Sequence, residues 1–170
     1  MMMIPFDFCI SPFYHHEQLK IDLNSLTEKQ RFTQVPFYYD ITSIKKPWES
    51  PYPYIEEIYQ LWLEEEIAIR FAFKGKRKHE IASKMRISIA LYIDALFWLN
   101  GQRLNNLHKI EEDILTLTYR PLNAKDRLAF IIKQHNQYHA FIQLQALMEE
   151  LNKMCARIKV MKNRKNSEGL

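Results

Sequence analysis

Residues 87–100, ISIALYIDALFWLN, constrain this chain more than any other stretch. Only Ser88, Asp94 and Asn100 in it are polar. A helix that is apolar on every side is normally buried, with the rest of the chain packed around it. At about 1.5 Å per residue it runs roughly 21 Å, too short to cross a bilayer. Gly101 can take the left-handed conformation that closes a helix. The stretch is therefore predicted to be the central helix of an all-α domain.

The remaining composition supports that class. A chain of 170 residues can bury one real core, and with aromatics at 13% much of that core is Phe, Tyr and Trp. The only glycines are Gly75, Gly101 and Gly169. So few argue against sandwiches, barrels and βαβ folds, and leave no glycine-rich phosphate cradle. Cys9 and Cys155 form no C-x-x-C pair, which predicts reduced thiols and a cytoplasmic protein. The start, MMMIPFDFCI, has neither the basic nor the apolar region of a signal peptide, so no membrane association is expected.

Six of the seven prolines fall in residues 1–53, among aromatics: IPFDF, SPFYHH, VPFYYD and KKPWESPYPY. Proline biases its predecessor toward extended backbone, so long helices are not expected there. One short helix to about Thr33 is predicted from the capping-box spacing Ser25-x-x-Glu28. This arm reads either as aromatic anchors lying over the core or as a recognition element. From Ser50 a long helix is expected, with Ile55, Ile58, Tyr59, Trp62, Ile69 and Phe73 on one face. It ends near Gly75, and the central helix follows from about Lys78, making a helical hairpin. Shorter helices are predicted at 107–117 and after Asn123, the latter capped by Asn123. A kink or break is expected at 133–136, then a last helix from about Gln137 to Met161. The division is an arm (1–53), a helical domain (54–162) and a disordered polar tail (163–170), with about five helices in a single bundle.

Charge is segregated along the chain. Residues 1–69 hold five Lys/Arg against eleven Asp/Glu, whereas 70–86 hold seven basic residues against Glu80 alone. Residues 153–170 add six basic residues against Glu168. The hairpin tip, Arg70, Lys74, Lys76, Arg77, Lys78, Lys84 and Arg86, is the leading binding candidate. It reads as a surface for nucleic acid or an acidic protein partner, or as a solvated turn that pairs with the acidic first helix.

Asp94 is the most informative polar residue. Its helical neighbours are Ala90, Leu91, Phe97 and Trp98, so its carboxylate needs a partner. It reads as a buried polar anchor bonded to an Arg, a Tyr hydroxyl or the arm's backbone, or as an acid, base or metal ligand with a perturbed pKa. His135 and His139, at i and i+4, suggest an alternative metal-dependent hydrolase. The third ligand would come from Asp94, His108 or His15-His16. Neither H-E-x-x-H nor the Glu-x-x-His of di-iron bundles is present, so no metal or other cofactor is expected. With no G-x-S-x-G and no cysteine in a recognisable setting, no catalytic residue is assigned.

The segments PFYYDI (36–41), KPWE (46–49), YRPLNAKDRLAFI (119–131) and YHAFIQL (138–144) resemble the YpoC-like proteins of Bacillus and relatives. The resemblance carries no catalytic motif and transfers no site residue. It implies a cytosolic bacterial helical protein. Genes of that family often lie near DNA replication and repair genes, which favours a nucleic-acid connection. The reading that combines these features is a non-catalytic binding or accessory protein. It would act with nucleic acid or a nucleic-acid-handling partner.

Overall fold

Every residue from 87 to 99 is buried, in the second half of a helix that begins at Lys78. The computed structural model describes residues 2–16 and 18–169. Among them are seven α-helices: α1 (Glu28–Gln34), α2 (Tyr38–Thr42), α3 (Tyr52–Lys74), α4 (Lys78–Leu99), α5 (Ile110–Thr116), α6 (Ala124–Lys133) and α7 (Tyr138–Glu168). The protein is all-α, with a helical bundle around α4. A two-residue antiparallel ladder, β1 (Met2–Met3) with β2 (Gln18–Leu19), pairs Met2 with Leu19. No helix of the described residues is long and apolar enough to cross a membrane.

The order of packing follows from where apolar residues sit. Helices α3 and α4 form an antiparallel hairpin through Gly75 and Lys76, and Lys76 takes a left-handed φ of 53°. Arg77 N–H then reaches back to the Ala72 carbonyl (3.0 Å), the closure that ends a helix in this way. Helix α7 runs antiparallel to α3. Phe73 meets Tyr138 at one end, with ring centroids 5.3 Å apart, and Lys159 meets Glu56 at the other (3.0 Å). Helix α6 packs on α5 and α7, clasped to α7 by a two-pronged Arg127–Glu150 ion pair at 2.7 and 2.8 Å. Gly101, at φ +69°, lets the chain turn beneath α4.

The N-terminal residues supply rings to this bundle. Phe8, Phe13, Tyr14, Phe32, Phe37, Tyr38 and Tyr39 are all buried. Phe32, Tyr39 and Tyr54 surround Trp98 with ring centroids 6.1–6.3 Å from it. Two hydrogen bonds hold the loop down: Tyr14 Oη donates to the Pro36 carbonyl (2.8 Å), and Arg86 Nη1 donates to the Phe13 carbonyl (2.9 Å). Phe37 has φ 61°, a left-handed conformation rare for a bulky side chain, and it starts α2 immediately afterwards.

Four local expectations are corrected. The capping box of α1 is Thr27 with Gln30, because Ser25 is used in a 3₁₀ turn where its Oγ donates to the Asp22 carbonyl (2.8 Å). The short helix α2, absent from the sequence reading, forms just after Pro36. Asn123 precedes α6 in a left-handed conformation and makes no side-chain cap. The tail is helical to Glu168, since no Gly or Pro interrupts it before Gly169.

Trp98 is fully buried and central to the aromatic cluster. Trp98→Ala should cost about 3–5 kcal/mol, the range for truncating a buried indole without collapse of its site. Urea unfolding measures it, and a loss under about 1 kcal/mol would show that α4 is not the centre of the core.

Candidate functional site

The polar group that the arm brings into the core is Asp40 on α2. It is 0% exposed, and its partner on α4, Asp94, is 3% exposed. Asp40 Oδ1 accepts from Trp98 Nε1 (3.2 Å) and from the Leu104 backbone N–H (2.7 Å). Its backbone carbonyl accepts a fork from Arg103, Nε at 2.8 Å and Nη2 at 2.5 Å. Arg103 in turn lies over the Trp48 ring, 5.5 Å from its centroid.

The remaining oxygens explain the pairing. Asp40 Oδ2 and Asp94 Oδ1 are buried and receive no N–H or hydroxyl from another residue. Two carboxylates facing each other in a core would be strongly repulsive, whereas one proton held between them satisfies both. Burial first, then the Asp40 charge and the hydrogen bond to it, raise Asp94 well above the ordinary carboxyl range. Asp94 therefore carries the proton. Burial also pushes Asp40 up to about 6, against hydrogen bonds from Asp94, Leu104 and Trp98 and the nearby Arg103 charge, which favour its ionised form. Asp40 is the acceptor of the pair and Asp94 the donor.

Chemically this resembles an acid dyad, but both of its carboxyls are buried in the core. Bulky side chains surround it, and it joins the arm to the central helix. The arrangement fits an internal lock better than an acid–base catalyst, which needs a substrate-accessible face.

The histidines do not assemble a metal centre. Helix α6 ends at Lys133 and α7 begins at Tyr138, so His135 lies in the intervening turn and His139 in the first turn of α7. The i, i+4 spacing is therefore not on one helix face. His135 Nδ1 lies 3.1 Å from the Ile132 carbonyl. His108 stacks on Phe6 and reaches its carbonyl at 3.2 Å, and Asp94 faces Asp40. Among the described residues no three His, Cys, Asp or Glu side chains are grouped to hold a metal. The structure does bring His15 and His135 to one surface cleft, with Arg86 between them in sequence.

The basic tip is divided by ion pairing. Arg70 bonds Glu66 (3.0 Å), Arg77 bonds Glu80 (3.1 Å) and Lys84 bonds Glu65 (3.2 Å). Arg86 lies further along α4 and holds the arm. Lys74, Lys76 and Lys78 have no ion pair among the described residues, although Lys74 lies 5.8 Å from the Phe71 ring centroid. Sequence counting found the charges but missed Asp40. The signal that existed was an Asp set among Phe37, Tyr38 and Tyr39, where a carboxylate needs a donor.

Fold and site define a small helical protein whose acidic pair is internal. Among known families, the profile of the YpoC-like proteins matches residues 52–163, from the start of α3 to near the end of α7. The chain belongs to the YpoC-like family. It is 26% identical over 121 residues to "Uncharacterized protein YpoC" of Bacillus subtilis (strain 168), covering 69% of this chain and 74% of that protein. No solved structure matches. Asp94 lies inside the matched region and Asp40 outside it.

The two acids predict opposite responses. Asp94→Asn keeps a donor toward Asp40 and should leave stability at pH 7 unchanged or raised, whereas Asp40→Asn keeps an oxygen for Trp98 and Leu104 but turns the acceptor of the Asp94 proton into a second donor, and should cost about 1–3 kcal/mol. Both wild-type acids have raised folded pKa values. The stability they contribute is thus complete below about pH 4 and declines as pH rises through about 6 and, for Asp94, beyond. Glu150, held low by Arg127, opposes this on its own account. Urea unfolding of wild type and Asp94→Asn from pH 4 to 8 cancels that contribution. The variant should gain on wild type as pH rises, and parallel curves would disprove the shared proton.

Proposed function

We propose that this chain is a non-catalytic accessory protein that binds nucleic acid through its unpaired cations. The observation that supports this reading is how the surface charges are distributed. Lys74, Lys76 and Lys78 cluster at the α3–α4 turn, while most other tip cations are neutralised by Glu65, Glu66 and Glu80. A second group, Arg157, Lys162, Arg164 and Lys165, lies on α7, where residues 159–169 are all exposed. A basic surface contacts phosphates with little regard to sequence, and its affinity falls with salt as counterions are released.

The two groups are at opposite ends of the α3/α7 pair. Helix α3 has 23 residues, so at 1.5 Å each they are separated by about 35 Å. They cannot share one short ligand, and a single strand or duplex would have to run along the molecule to touch both. The sealed acid pair, and histidines that gather no third metal ligand among the described residues, favour binding over hydrolysis. The same features suit a protein of the cytosol, where nucleic acid is available.

Fluorescence anisotropy with a duplex and a single-stranded oligonucleotide at two salt concentrations tests this. Binding should weaken by about 0.9 log units per log unit of salt for each duplex phosphate contacted, and by about 0.7 for a single strand. Replacing Lys74, Lys76 and Lys78 with Ala should lower that slope by about 2–3 while leaving the urea midpoint unchanged. Truncation after Met161 should have a smaller effect. Absence of salt-sensitive binding at low ionic strength would reject nucleic acid and leave the tip as a docking surface for an acidic protein.

A further inference from the structure

We propose that the cleft between the arm and α4 is a binding site for a phosphate group, free or carried by a small phosphomonoester. Three segments far apart in sequence form it: Ser11 and His15 from the arm, Ser83 and Arg86 from α4, and His135 from the α6–α7 turn. Its volume is about 440 Å³, within the size range of small-molecule sites. No carboxylate among the described residues lines it.

The sign of the ligand follows from Arg86. Two histidines alone would be compatible with a divalent cation, but a permanently charged guanidinium in the same cleft repels one. Arg86 attracts an anion instead, and the imidazoles can hydrogen-bond to it. A phosphate oxygen accepts from guanidinium, imidazole N–H and hydroxyl donors, and Arg86, His15 and the serines supply all three. A carboxylate ligand would use the donors less fully, since phosphate presents three oxygens to donors approaching from three directions.

The donors are partly preset. Arg86 Nη1 is fixed by the Phe13 carbonyl at 2.9 Å, and its other N–H groups have no hydrogen bond to a described residue. His135 Nδ1 donates to the Ile132 carbonyl at 3.1 Å, so Nε2 of the neutral ring carries the lone pair and can accept from the P–OH of a monoprotonated phosphate. His15 makes no hydrogen bond with a described residue and is exposed. Pro12 and Ala82 add an apolar wall on which the organic part of a phosphomonoester can rest. The site is independent of the lysine tip, because none of Lys74, Lys76 or Lys78 lines it.

Isothermal titration of the full chain with inorganic phosphate, adenosine 5′-monophosphate, adenosine and zinc chloride tests the proposal. Phosphate and the monophosphate should each bind at one saturable site. Tighter binding of the monophosphate would identify an esterified phosphate as the ligand, and equal binding would identify the free ion. The double variant His15→Gln/His135→Gln should weaken both by about ten-fold or more with an unchanged urea midpoint. Arg86→Lys is the less suitable variant because Arg86 also anchors the arm. The triple tip variant should leave phosphate affinity unchanged, which separates this site from the nucleic-acid surface. No saturable phosphate binding, equal affinity in the histidine variant, adenosine binding as well as its monophosphate, or stoichiometric zinc lost in the histidine variant would each overturn it.

Discussion

One proton shared by Asp40 and Asp94 joins the two halves of this structure. Without it, two buried carboxylates would face each other in a core where charge is costly and repulsion is poorly screened. With it, α2 is fixed to α4. Through Asp40 the arm also engages Trp98, Leu104 and Arg103. The left-handed Phe37, two residues before Tyr39, places α2 at the angle this requires. Local strain is tolerated where surrounding contacts over-determine the geometry, and here the contacts are aromatic packing and the acid pair.

The legible part of the fold was the part governed by periodicity. Residues 87–99 announce burial because no face of a helix built from them is polar. The hairpin follows from Gly75 lying between two apolar stripes. The need of Asp94 for a partner was also readable from Ala90, Leu91, Phe97 and Trp98. Its partner was not, because Asp40 lies in a proline-rich stretch with no helical period and comes close only through tertiary packing. The same cause misplaced the capping box. Ser25-x-x-Glu28 and Thr27-x-x-Gln30 both satisfy the pattern, and only the Asp22–Ser25 turn decides between them.

Charge was legible as a count and not as a field. Seven basic residues in 70–86 read either as one patch or as a turn that pairs with the acidic first helix, and the sequence alone did not say which cation took which part. Glu65 reaches from α3 to neutralise Lys84 on α4, Glu66 pairs with Arg70 one turn along the same helix, and Arg86 turns toward the arm. The histidines show the same lesson. Their linear spacing suggested a metal, whereas the turn between α6 and α7 separates His139 from His135 and leaves His135 beside an arginine. For Lys84, Arg86 and the histidines the deciding contact came from another element of the fold.

The bonds that hold Asp40 also set an order of assembly. Its partners Trp98 and Leu104 lie 58 and 64 residues further along the chain. Closing so long a loop costs entropy that no local contact recovers, whereas the α3–α4 hairpin closes across a turn of a few residues. The hairpin is thus suited to form early, presenting Trp98 and Asp94 as a surface. The arm then docks as a late step, and substitutions at Asp40 should act mainly on the unfolding rate rather than on the folding rate.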